Sequence, residues 1–68
     1  MTKAEALTKW AQIYKTVLTA KNFAGTCIDT AVQFGVMDMI NQTKGMTEAD
    51  AAYMINDDAD WMAEKNAT

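Results

Sequence analysis

Residues 55–62, Ile-Asn-Asp-Asp-Ala-Asp-Trp-Met, hold the densest group of side chains able to do chemistry. Asn56, Asp58 and Asp60 repeat the first, third and fifth ligand positions of a calcium-binding loop. The sixth position of such a loop needs glycine for its sharp turn, and here it is Trp61. The twelfth needs a bidentate glutamate, and here it is Ala67. Both decisive positions fail, so no metal and no cofactor are assigned. Cys27 is the one thiol. Thiolate chemistry calls for an activating neighbour, most often histidine, and the chain has none. No catalytic residue is assigned either, and the chain reads as a binding protein rather than an enzyme.

What is missing narrows the partners. Arginine, the preferred residue for bidentate phosphate and guanine contacts, is absent, and the net charge is −3. Nucleic acid is therefore a disfavoured partner. The charge is also unevenly spread. Residues 1–21 set Lys3, Lys9, Lys15 and Lys21 against Glu5 alone. Residues 46–68 set Lys65 against Glu48, Asp50, Asp57, Asp58, Asp60 and Glu64. A segment that acidic favours a protein partner with a basic surface.

A lone cysteine cannot form an intramolecular disulfide, which fits a reducing, cytoplasmic setting. Met1 is followed by polar and charged residues without the apolar run of a signal peptide. No stretch approaches the roughly 18 apolar residues of a membrane span, so no membrane partner is expected.

The elements that must position these residues are helices. Three segments open with a threonine followed three residues later by an acid: Thr2 with Glu5, Thr26 with Asp29, and Thr47 with Asp50. Aspartate is the shorter partner, so the second and third signals are the weaker ones. Gly25 and Gly45 stand just before the later starts, where a helix end favours a left-handed residue. The pattern predicts helices over about 3–21, 27–43 and 48–65, with no period-2 alternation for a strand. The expected fold is all-α, a compact three-helix domain spanning 1–68. A break near Asn56–Asp58 would add a short fourth helix.

Helix 1 is amphipathic, with Leu7, Trp10, Tyr14, Val17 and Leu18 on one face. Lysines flank its aromatic residues but spread around the cylinder, so the apolar face reads as core and not as a membrane-surface device. Helix 2 has two apolar stripes. Ile28, Val32, Gly35, Val36 and Met39 form one; Cys27, Phe34 and Met37 form the other, rotated by well over 90°. Either helices 1 and 3 cover one stripe each, or the second stripe faces another molecule. Gly35 in mid-helix implies a close neighbour or a bend.

Helix 3 places Asp58 among Ala51, Ile55 and Met62, with Met54 and Ala59 at the edges. An unpaired buried carboxylate is costly. Asp58 must therefore sit at a helix break, pair with a lysine of helix 1, or face a partner. On a continuous helix, Asp50, Tyr53, Asp57, Asp60 and Glu64 share an arc of about 80°. That arc is either a solvated face or an acidic docking stripe, with Tyr53 and Trp61 as aromatic anchors.

Ala31, Gly35 and Val36 repeat the alanine, three residues, glycine, small apolar residue of a helix-turn-helix turn. The stretch resembles that DNA-binding module. The resemblance implies a recognition helix at Met37–Gln42, yet this contains Asp38 and no basic residue.

Together these features point to a small non-catalytic protein that binds another protein, as an inhibitor, adaptor or regulatory subunit. Small viral and mobile-element proteins often share this profile. Its partner-binding residues would be Phe34, Met37, Tyr53, Asp57, Asp60, Trp61 and Glu64. The alternatives are a self-assembling homodimer or other homo-oligomer, and a helix-turn-helix DNA-binding regulator.

Overall fold

A computed structural model describes residues 1–21 and 25–66, apart from the side chain of Thr26. Three helices account for nearly all of it: α1 (Lys3–Ala20), α2 (Gly25–Gln42) and α3 (Glu48–Lys65). There is no strand among the described residues. The chain is an all-α three-helix domain.

The starts of α1 and α3 follow from their caps. At α1, the Thr2 hydroxyl accepts from the Glu5 amide at 3.1 Å, and the Thr2 amide donates to Glu5 Oε1 at 2.8 Å. This reciprocal pair satisfies two otherwise unpartnered donors. The bond from the Thr2 backbone, and then that from its hydroxyl, hold the Glu5 carboxyl below its ordinary value. At α3, the Thr47 hydroxyl accepts from the Asp50 amide at 3.2 Å. Glu48 reaches instead to the other helix, its Oε1 accepting from the Lys3 amide at 2.8 Å. The expected cap of α2 by Thr26 falls on a side chain outside those described.

The turn between α2 and α3 needs Gly45, whose φ is +86°. Just before it, Thr43 is buried with its hydroxyl donating to the Met39 carbonyl at 2.8 Å, so the turn enters the core without an orphaned polar group. Gly25 does not play the same part. It is the first residue of α2, while α1 is closed at Lys21, whose amide donates to the Val17 and Leu18 carbonyls.

Lys3 meets Glu48, Lys9 meets Asn56 and Asp60, and Trp10 meets Asp58, so α1 and α3 run parallel. The intervening α2 runs back against α1. α1 packs on both neighbours, most extensively on α3, whereas α2 and α3 barely touch. The Cα envelope measures 36 × 24 × 15 Å, which leaves a shallow core.

That core is made of Ala6, Trp10, Val17, Met39, Ala52, Ile55, Ala59 and Met62. The inward stripe of α2 is as its sequence predicts, with Ile28 and Met39 buried and Val32, Gly35 and Val36 half-buried. Ala52, and Ala59 with no exposure at all, lie deeper in α3 than periodicity suggests. Their small side chains let α1 and α3 approach closely.

Two expectations are corrected. α3 is unbroken from Glu48 to Lys65, so there is no helix restart at Asn56–Asp58 and no fourth helix. α2 likewise passes straight through Ala31, Gly35 and Val36, so the turn of a helix-turn-helix unit does not form there. The glycine serves a close approach. A Cβ at Gly35 would stand 2.7 Å from Trp10 Cη2 and 2.9 Å from Tyr14 Cε2. Those two rings pack on each other, with centroids 4.9 Å apart, and α2 lies against them.

Candidate protein-binding surfaces

Asp58 is explained by an indole. Trp10 Nε1 donates to its Oδ2 at 2.6 Å, across the α1–α3 contact. The carboxylate therefore needs neither a break nor a lysine. Trp10 is buried to 6 % exposure, and its one polar atom is satisfied at the same time. The same side chain touches α2 through Gly35 and α3 through Asp58. Trp10 is the keystone of the fold.

The lysine of α1 goes elsewhere. Lys9 Nζ lies 2.8 Å from Asp60 Oδ1 and 2.7 Å from Asn56 Oδ1. Of the three residues that imitate a calcium loop, Asn56 and Asp60 thus bind Lys9, and Asp58 binds Trp10. All three lie on one continuous helix; Ala67, the twelfth position of that comparison, is outside the described residues. No group of three or more histidine, cysteine, aspartate or glutamate side chains is placed to hold a metal among the described residues.

What remains on the outer side of α3 is Asp50, Tyr53, Asp57, Trp61 and Glu64, all exposed. Tyr53 is 74 % and Trp61 59 % exposed. The Lys65 ammonium lies 5.5 Å from the Trp61 ring centroid. Met54, Asp57, Asp58 and Trp61 line a shallow open depression beside it. Among the described residues the only ion pair is Lys9–Asp60, so Asp57 and Glu64 have no cationic partner. Four of the five expected α3 residues therefore share one outward stripe, Tyr53, Asp57, Trp61 and Glu64. Asp60 sits at its α1 edge and is already paired.

Phe34 and Met37 lie on a different surface. Both α2 and α3 turn their buried faces towards α1, so the outer face of α2 stands apart from the acidic stripe. Phe34 is 67 % and Met37 55 % exposed, and Cys27 is exposed in line with them. α3 does not cover this second stripe. Sequence reasoning missed two contributors, Ile40 and Met46, exposed at 42 % and 40 % near the end of α2. Ile40 belongs to neither periodic stripe, and Met46 lies in the turn, where periodicity carries no signal.

No protein-family model, curated protein or solved structure matches this chain. No described helix is long and apolar enough to cross a membrane.

Proposed function

We propose that this is a non-catalytic binding protein that docks the outer face of α3 on a basic surface of another protein, as an inhibitor, adaptor or regulatory subunit. The observation that carries this is the exposure of Tyr53 and Trp61 among the unneutralised Asp50, Asp57 and Glu64. Large amphipathic rings standing in water outside the core contribute little burial to folding. At an interface they supply much buried area for little lost side-chain freedom. The acids around them would speed encounter with a basic partner. A reducing, cytoplasmic setting suits the exposed Cys27.

The test has two stages. A photo-crosslinking side chain placed at Tyr53 should capture a partner from the native cytosol that the same group at Thr8, on the outer face of α1, does not. Association of that partner is then followed against salt, for the native chain and for Asp57→Asn with Glu64→Gln. The variant should associate more slowly at low salt. The two rates should converge as the screening length falls from about 10 Å at 0.1 M to about 3 Å at 1 M. Equal rates at every salt concentration would reduce the stripe to a solvated face.

A further inference from the structure

The outer face of α2 is ordered more strictly than an apolar patch needs to be. Cys27, Thr30, Phe34, Met37 and Asn41 are all exposed and follow one another at spacings of 3, 4, 3 and 4. On a helix this alternation keeps the residues within an arc of about 80°, the seam of a two-helix coiled coil. The four from Thr30 to Asn41 also read the same in polarity from either end, Thr30, then Phe34 and Met37, then Asn41, while Cys27 lies beyond them with its counterpart position, Lys44, past the end of α2.

We infer that this face binds the same face of a second copy, antiparallel, across a two-fold axis lying between Phe34 and Met37. Such a contact is isologous, so each seam residue must suit the residue that symmetry brings to it. Phe34 meets the second copy's Met37, and Met37 its Phe34. Thr30 meets Asn41 at both ends, polar on polar. The flanking positions agree as well. Asp38 falls opposite Ala31, and Ile40 opposite Gln33, so no charge faces a like charge. The acidic residues 46–68 have no place in the seam, and α2 itself carries only Asp29 and Asp38. A foreign helix would demand no such palindrome.

The arrangement also keeps Cys27 away from its own copy. Its counterpart along the antiparallel partner lies 17 residues on, about 25 Å at 1.5 Å per residue, so no disulfide closes the pair. A parallel pair would set Cys27 opposite Cys27. In size, a helix pair along this seam covers about a tenth of each copy's 4692 Å² surface, below the roughly 1,200 Å² total of standard interfaces. The dimer is weak and depends on concentration. It leaves the outer face of α3 free.

Sedimentation equilibrium of the full chain under reducing conditions, from about 10 µM to about 1 mM, tests this. A monomer–dimer equilibrium is expected, weakened at least tenfold by Phe34→Gln or Met37→Gln and unmoved by Tyr53→Gln, with helicity retained in all three. Orientation is read in a Cys27→Ser background. Thr30→Cys and Asn41→Cys chains, mixed and oxidised, should cross-link with each other and not each with itself. A monomer at all concentrations, or a dimer indifferent to Phe34→Gln, overturns the proposal. Like-with-like cross-links, or a Cys27–Cys27 disulfide in the native dimer, overturn it too.

Discussion

The contact between α1 and α3 is closed by small side chains and paired polar groups, whereas the contact between α1 and α2 is apolar, with Met39 and Val36 in or against the core and Gly35 at the point of closest approach. On the α3 side, Ala52, Ala59 and Ile55 sit against α1, and Lys9, Trp10 and the Lys3 amide each find an acceptor on α3. On the α2 side, Gly35 lies on the rings of Trp10 and Tyr14, while Phe34 and Met37 face away. The difference teaches where stability and surface chemistry part company. α3 is fixed on its inner face and keeps aromatic rings and acids outside. α2 gives up a side chain to approach closely and keeps a pair of large apolar ones in water.

The largest effect should come from Trp10, which serves both contacts. Trp10→Ala should cost about 3–5 kcal/mol, the usual loss on emptying a buried aromatic site, measured by chemical denaturation. A smaller loss would mean that α1 is not the shared support. Gly35→Leu separates the two contacts. Its side chain has no room beside Trp10 Cη2, and overpacking of this kind costs about 1–3 kcal/mol. Hydrogen exchange should then rise in α2 before α3. Equal loosening of both helices would break the distinction between them.

Asp58→Ala probes the other side of the same ring. It leaves the Trp10 N–H without its charged acceptor and should cost about 1–2 kcal/mol, towards the lower end for such bonds because the site is half-buried. Unchanged stability would show that water replaces the carboxylate freely. The smallest effect concerns Glu5. Its carboxyl is held below the ordinary 4.5 by the Thr2 amide and hydroxyl. Its contribution is therefore fully present above pH 4.5 and is lost as pH falls through the lower folded value. Glu5→Gln should flatten the pH dependence of the melting temperature below pH 4.5 and leave it unchanged near neutrality. An unaltered acid slope would remove Glu5 from the cap.

These sites also show what local sequence can tell. Helix starts at Thr2 and Thr47 and the left-handed Gly45 are visible because caps and turns act within a few residues. Gly25 misleads for the same reason: a glycine ahead of a helix looks like a helix end until the neighbouring helix is seen to close without it. The two stripes of α2 follow from periodicity alone. The partner of Asp58 does not, because it lies 48 residues away on another helix. The carboxylate's misfit on the inner face is visible in the sequence, but its resolution is tertiary. Asp60 teaches the same lesson, since nothing local separates a free acid on the stripe from one held by Lys9.

The claim common to both surfaces is that the large outward side chains are not needed for the fold. A chain carrying Phe34→Gln, Met37→Gln, Tyr53→Gln and Trp61→Gln tests it in one measurement, by chemical denaturation at a concentration where both proteins are monomeric. The unfolding free energy should stay within about 1–2 kcal/mol of the native chain, as surface substitutions usually do. A loss on the scale of an emptied core would show that these side chains support the fold after all.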